Sequence, residues 1–444
     1  MYITEPAREI PVRYETDLFV AGGSCTGVFA AVRAARLGMR VLLAERQNTL
    51  GGTATAGLVN VWHSLKDTDY REQVIGGLSA EMTGRLVKAG FAELSDNPST
   101  AIRFNPFYLQ LELDKLIREE KITVLFHTLC VGALADGRRI THALIENKDG
   151  RSAVEARFFI DATGDGDLMK YLGLPSYTHD ILQPPSPCFL MNGSTDGIPV
   201  GKLIHEYGAA YGLDDDFGWD GTIPGCPGLF FRADFHVFGE RADSAEGLTA
   251  IEFEGRRKAE ALVRLINEHT DRHVTIGGFC SSAGIRETVH YATKLQTKGD
   301  DLLAGKRYDD AILNGTYRID VHNTDGSVIL YYLDGSVVKM QGAERTETKW
   351  NRREQPGITG EPPKYYQVPF GMLVQETYDN LIAVGRMINA DKAAYGALRV
   401  MVNLNQLGEA AGTAAFLAAD ADTSVGALDG KAVRAALIRG GSIL

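Results

Sequence analysis

DLFVAGGSCTGVFAAVRAARLGMRVLLAERQNTLGGTATAG, residues Asp17–Gly57, reads as strand, tight glycine turn, helix, second strand ending in an acid, and a further glycine pair. Leu18–Ala21 form a short apolar run suited to a buried parallel strand. Gly22, Ser24 and Gly27 hold the three special positions of G-x-G-x-x-G, with Gly23, Cys25 and Thr26 between them. Those positions require a tight turn, close backbone approach to a pyrophosphate, and close helix–strand contact. Ala30, Ala31, Ala34 and Ala35 would let the following helix lie flat on a sheet, while its N-terminal N–H groups and dipole favour phosphate. Arg40–Ala44 return as a strand, and Glu45 ends it 23 residues after Gly22, where a carboxylate can accept from adenosine ribose hydroxyls. A glycine turn also serves packing alone, but the helix composition, the second strand and the offset of Glu45 favour a dinucleotide. Ser24 departs from the pattern, so its hydroxyl either turns away from the phosphates or bonds one.

Directly after Glu45 come Arg46 and Gly51-Gly52-Thr53-x-Thr55-x-Gly57. Residues 158–167, FFIDATGDGD, are an apolar strand running into the turn Ala162-Thr163-Gly164-Asp165. Residues 379–386, DNLIAVGR, are again a strand ending in Gly385-Arg386, followed by Arg399, Asn405 and Gly408-Glu-Ala-Ala-Gly412. Together these resemble the FAD-dependent oxidoreductases of the glutathione-reductase-like flavoprotein superfamily. Ile75-Gly76-Gly77, Gln183-Pro184, Gly284–Thr288 and Asp320-Val-His322 extend the resemblance across nearly the whole chain. It implies FAD as cofactor, with the second glycine pair beside the flavin pyrophosphate and ring. It also implies the Ala-Thr-Gly turn beside the adenine half, the unit Gly408–Gly412, opening or lining a helix, near the ribityl chain and pyrimidine edge, and Asn405 among the cofactor-binding residues. Substrate identity does not follow, because members of this group differ widely.

The implied fold is α/β: a Rossmann-like FAD-binding domain, three-layered, with a parallel sheet and a β-meander, plus an inserted α+β substrate or cap domain. The expected boundaries are 1–176 and 364–444 for the FAD-binding domain and 177–363 for the cap, with residues 354–363 as the return linker. Residues 60–103 read as an irregular excursion with a helix over Leu78–Ala89. Asn105-Pro106 reads as an N-cap followed by proline at the first position of a helix to Glu120. Ile122–Phe126 would be a third parallel strand. Val131–Phe159 would be an antiparallel meander turning at Asp136-Gly137 and Asp149-Gly150. In the cap, Leu248–Ile266 reads as an amphipathic helix.

Bulk properties suit an enzyme with a large core: 444 residues, 44% hydrophobic and 23% charged. A net charge of −11 without a basic run argues against nucleic acid as a partner. No segment approaches the ~18 apolar residues of a membrane span. The polar first 16 residues lack the apolar core of a secretory signal, so cytoplasm is the default. The five cysteines are far apart with no C-x-x-C, which excludes the spacing of disulfide redox, iron–sulfur and zinc sites; no metal is expected. Apolar cap strands are compatible with a homo-oligomer.

No second strand–GxGxxG–helix unit follows residue 60, so a dedicated NAD(P)H domain is not expected. Electrons would come from a small organic substrate, or pass to or from an external donor or acceptor. Oxidation of an alcohol or amine needs a base, and a neutral histidine suits it. His322 is the first candidate, with Asp320 on the same strand face to orient it; a structural histidine at the cap interface is the alternative. His63, just past the second glycine pair, is a candidate for substrate contact or, more remotely, covalent flavin attachment; otherwise it is a surface loop histidine. Arg286, read as following a loop and leading a helix, would clamp a substrate carboxylate or form an ion pair with Glu287. Arg399 would stabilise negative charge on reduced flavin or hold its loop, and Arg386 carries the same pair of readings.

Overall fold

The computed structural model describes residues 3–4, 6–97, 100–216, 218–233, 235–354 and 360–444. Five residues of the expected return linker, 355–359, therefore lie outside the described residues. Strand Val12–Ala21 sits centrally in a seven-stranded sheet. It pairs in parallel with Val41–Ala44 on one side, which pairs with Thr123–Leu125, and with Gly150–Asp161 on the other. Leu381–Ala383 adds to the C-terminal end of Gly150–Asp161, also in parallel. Leu129–Asp136 and Arg139–Asn147 continue from Gly150–Asp161 as the antiparallel meander, with Gly137 and Gly150 at positive φ in its two turns. Among the described residues, no other sheet contains parallel strands.

Side-chain alternation sorts this sheet into two faces. Leu18, Val20, Leu43, Phe158 and Ile160 pack with the helices, while Phe19, Ala21, Leu42 and Phe159 pack with Ile140, Ala143 and Ile145 of the meander. Helix Cys25–Arg36 is buried along most of its length because it is covered twice, by the sheet and by helix Met401–Asp420. Asn105 caps helix Pro106–Glu119, its side-chain oxygen accepting from Phe107 and Tyr108 N–H at 3.0 and 3.3 Å. Leu109, Leu113 and Leu116 of that helix are buried while Leu111 faces solvent, as helical periodicity requires.

The middle of the chain builds two antiparallel sheets. One has the order Trp219–Thr222, Leu229–Ala233, Phe189–Asn192, Thr275–Phe279 and is packed by helix Ala245–His269. The other runs in sequence order through Ile319–His322, Val328–Tyr331, Ser336–Gln341 and Thr346–Asn351. The stretch 299–315 behaves differently: Leu302, Ile312 and Leu313 join the core on the helix side of the parallel sheet. No helix among the described residues is long and apolar enough to cross a membrane.

One local expectation fails. The segment after Gly284-Ile285-Arg286 does not lead a helix; it runs extended into the two-residue strand His290–Tyr291, which pairs with Ser176–Tyr177. Its side chains are engaged by distant groups instead. Thr288 Oγ1 donates to Asp165 Oδ1 at 2.8 Å, and Glu287 binds His179 and His290. The contacts to Asp165 and His179 reach across more than one hundred residues and hold this stretch extended.

Candidate functional site

Strand register sets the site. Ala21 lies opposite Ala44 on one side and Asp161 on the other, and Asp161 lies opposite Ala383. The residues that follow this row, Glu45, Gly22, Ala162 and Val384-Gly385, therefore leave the sheet at one level along its carboxyl edge, where open α/β sheets bind ligands. Gly22, Gly164 and Gly385 all have positive φ (100°, 86° and 122°). A Cβ on Gly22 would overlap the Ala162 carbonyl, and one on Gly385 would lie 3.7 Å from Gly164 Cα. The three bends thus open into one cavity of about 640 Å³.

Its nucleotide-sized floor comes from Gly22, Ser24, Cys25 and Thr26 at the start of the first helix, with Glu45 and Arg46 beside them. Gly51, Gly52 and Thr53 close one side; Gly51 N–H donates to the Gly23 carbonyl at 2.8 Å, and Gly51 bridges Ser24. Ala162, Thr163, Gly164, Gly385, Arg386 and Asn405 complete it. Ser24 gains a local role beside the two first expected of it. Its Oγ accepts from Gly27 N–H at 3.5 Å and so caps the helix, which explains how a serine replaces the middle glycine. Cys25 is buried and its thiol is pushed up to about 12 by that burial, so it remains an uncharged packing group.

Four expected cofactor residues stand behind the lining. Gly23 N–H donates to Glu45 Oε2 at 2.6 Å, and Gly27 lies against the Gly22 carbonyl. Asp165 is turned to Arg386, whose Nη2 donates to its Oδ1 at 2.5 Å. Gly408 lies inside helix Met401–Asp420, and a Cβ there would overlap the Thr26 carbonyl. Gly412 meets Ala30 in the same way, so both glycines serve helix–helix approach. Gly408→Val is accordingly expected to lower unfolding free energy by about 1–3 kcal/mol, read from urea melts. An unchanged melt with weakened FAD binding would return Gly408 to the cofactor.

The residues present fit a bound dinucleotide. Asn405 is fully buried, lines the cavity, and neither atom of its amide has a hydrogen-bond partner among the described residues. A buried amide left so implies a ligand that completes it. The first turn of helix Cys25–Arg36 faces the same space, with the glycine bends allowing close backbone approach.

At the other end the cavity is roofed by both middle sheets, through Trp219 and Asp220 from one and Asp320, His322, Val328 and Leu330 from the other. His322 Nε2 lies 3.1 Å from Asp320 Oδ1, both residues buried. Asp320 Oδ2 accepts from Arg399 Nη2 at 3.3 Å and from Tyr317 O–H at 3.1 Å. Burial pushes the Asp320 carboxyl up, but His322, Arg399 and Arg318 outweigh it and hold it well below the usual carboxylate range. Burial dominates at His322, taking it down to about 4 against the pull of Asp320, with Arg286 adding to the fall. The pair is therefore a neutral imidazole on an ionised carboxylate. His63 is buried, with its ring 5.2 Å from that of Tyr317, and burial with Arg318 nearby takes it down to about 3.

Arg286 Nη1 donates to the Pro184 carbonyl and Ser186 Oγ, each at 2.7 Å, and the residue lines the cavity. The alternative of an Arg286–Glu287 ion pair is not what forms: Glu287 is directed to His179, His290 and Gln183 N–H. Arg399, at the C-terminus of helix Lys392–Leu398, also lines the cavity. Sequence reading missed Arg318, which lines the cavity with its guanidinium 4.9 Å from the Tyr317 ring. It also missed Asp216 and His236, a buried pair whose imidazole lies 4.8 Å from that of His322. No local signal marks these, since each acquires its place only through the fold of the two middle sheets.

Residues 17–437 match the family model described as FAD dependent oxidoreductase. Dihydrolipoyl dehydrogenase, mitochondrial, of Schizosaccharomyces pombe is 35% identical over 217 residues, covering 44% of this chain and 39% of that enzyme. The chain thus matches well under half the length of that relative. Among solved structures, a geranylgeranyl bacteriochlorophyll reductase-like protein of Thermoplasma acidophilum superposes with a TM-score of 0.48 at 13% identity, covering 96% of this chain and 83% of that one. The myxobacterial chondrochloren halogenase gives 0.44 at 15% identity, covering 96% and 79%.

Proposed function

Because the chain belongs to the FAD dependent oxidoreductase family, we propose that it transfers hydride between flavin and a small organic substrate seated under the middle sheets, with His322 as base. FAD, when bound, supplies the hydride acceptor or donor. The observation that carries this reading is the buried Asp320–His322 pair lining the same cavity as the three glycine bends. A neutral imidazole can take the proton of a hydroxyl or amine as hydride leaves, and an ionised Asp320 stabilises the imidazolium that forms. Val328, Leu330 and Met340 supply apolar walls that exclude water there.

Alcohols, amines and hydroxy acids all fit that chemistry. The guanidinium groups favour the last. Arg286 lies within electrostatic reach of His322, Arg318 within reach of both His63 and Asp320, and Arg399 pairs with Asp320. A substrate carboxylate has fork-shaped donors to meet beside the base. The same cations favour one second reading, a reductase of a C=C bond in an unsaturated acid, fed by an external donor.

Mixing the anaerobic oxidised holoprotein with a panel of 2-hydroxy acids, neutral alcohols and amines tests the reading. Bleaching of the visible flavin band by hydroxy acids, and not by their esters, is the expected result. Reduced viologen supporting reduction of an unsaturated acid, with no bleaching by any panel member, would replace it by the reductase. A flavin that no compound reduces or reoxidises would mark a non-catalytic binding module.

A further inference from the structure

His179, Glu287 and His290 form a cluster outside the cavity described above. Their nearest ligand-capable atoms all lie within 4.8 Å of one another. Glu287 and His290 are fully buried, and the His179 side chain is 12% exposed. The outer nitrogen of each ring decides its tautomer. His290 Nδ1 lies 2.9 Å from the Ile388 carbonyl, and His179 Nε2 lies 3.1 Å from the Ala390 carbonyl. A carbonyl only accepts, so both of those nitrogens carry the proton. The inner nitrogens, His179 Nδ1 and His290 Nε2, both point at one oxygen, Glu287 Oε1, at 2.5 and 3.1 Å. In the neutral rings these inner nitrogens are bare. Three lone pairs then converge with nothing positive between them.

Protons alone answer this poorly. One proton leaves the other bare nitrogen against the carboxylate. Two protons place imidazolium rings with centroids 4.5 Å apart in a buried site against a single negative charge. A divalent cation neutralises all three donors at once. Ligating histidines characteristically donate their other N–H to a backbone carbonyl, the arrangement both rings already have. Glu287 Oε2 is likewise fixed, accepting from Gln183 N–H at 2.9 Å.

We infer that His179 Nδ1, Glu287 Oε1 and His290 Nε2 form a site for a divalent transition-metal ion, which ties the segment carrying Arg286 to the stretch carrying His179, while carbonyls of the loop after Gly385 hold both rings from outside. Two imidazole nitrogens and one carboxylate oxygen are a zinc-type donor set. Bonds of about 2.0–2.2 Å need ligand atoms roughly 3–4.4 Å apart, so the shortest contact opens and the widest closes by a few tenths of an ångström. The role is structural. Tyr395 O–H donates to the Arg286 carbonyl from the next helix, so this junction sets where Arg286 enters the cavity. The spacing hid the site: Glu287 and His290 are three residues apart, but His179 is over one hundred residues away.

Holoprotein freed of any affinity tag is to be stripped with chelator, exposed to Co²⁺ or Zn²⁺, gel-filtered and assayed by mass spectrometry for metal. The expected result is one retained ion per chain, a Co²⁺ ligand-field band at longer wavelength than the flavin absorbs, and a higher melting temperature. Glu287→Gln should lose the band. Because Glu287 is buried and its variant can misfold, His179→Gln at the cluster's edge is the second variant. It should keep a normal flavin spectrum while weakening Co²⁺ by more than about 100-fold. No stoichiometric ion on the parent protein, or equal uptake and an unchanged band in His179→Gln, overturns the site.

Discussion

Gly22→Ala is expected to weaken FAD binding on the order of 10²–10³-fold while leaving a folded chain. Gly22 has φ +100°, and its new Cβ would overlap the Ala162 carbonyl oxygen. Left-handed backbone costs an L side chain about 1–2 kcal/mol, and forced overlap in a packed region about 1–3 kcal/mol. The chain can relieve the overlap only by moving the first turn away from the Ala162-Thr163-Gly164 turn. That movement opens the bend both turns share with the cavity. Gly38→Ala is the matched control, since Gly38 has φ +107° but nothing within 4 Å of its Cβ position. Both variants carry the backbone cost; only Gly22→Ala carries the collision. Fluorescence titration of apoprotein with FAD, beside urea melts of both variants, separates the effects. Equal FAD affinity in the two variants would show that the first bend does not form the cradle.

The parts of this molecule that were legible in its sequence are those whose residues carry their own conformational demand. Gly22 and Gly385 each end a run of apolar residues, Gly164 follows one through Asp161-Ala162-Thr163, and all three adopt a backbone that favours glycine. Their meeting follows from parallel register, because every strand ends at the same row. The Asp320–His322 contact was legible too, since alternate residues of a strand share a face. What escaped depends on distant partners. Gly408 looks like a cofactor glycine by its neighbours, but the Thr26 carbonyl across the helix interface decides its use. The chain beyond Arg286 has no pattern that forbids a helix; His179 and Asp165 hold it extended from distant stretches of the chain. Ser24 departs from the motif in sequence, and its role as a cap appears only when the Gly27 N–H is placed. Arg318 and the Asp216–His236 pair have no local signature, because the fold of the middle sheets alone brings them toward His322.

Replacing His322 by glutamine should slow substrate-dependent flavin reduction by ~10²–10⁴-fold, the usual worth of a positioned base, with substrate affinity changed much less. Glutamine keeps a polar group beside Asp320 but cannot take a proton at neutral pH. Because burial holds His322 down to about 4, the base is already unprotonated near pH 7. The acid limb of kcat/KM therefore falls near about pH 4, well below the ~6.5 of a free imidazole. Rates should be flat from about pH 5.5 upward as far as this group is concerned. The same shift carries a stability signature. Between the folded value and ~6.5 the unfolded chain binds the extra proton, so the unfolding free energy rises with pH across that window, and that stability is lost as pH falls. His322→Gln removes its part of the slope, up to ~1.4 kcal/mol per pH unit, leaving the part due to His63. Anaerobic stopped-flow reduction over a pH series, with urea melts at the same pH values, reads both effects on one variant. A variant that loses the stability slope but reduces flavin at the parent's rate would leave His322 as a buried structural group and move the search for the base to His63.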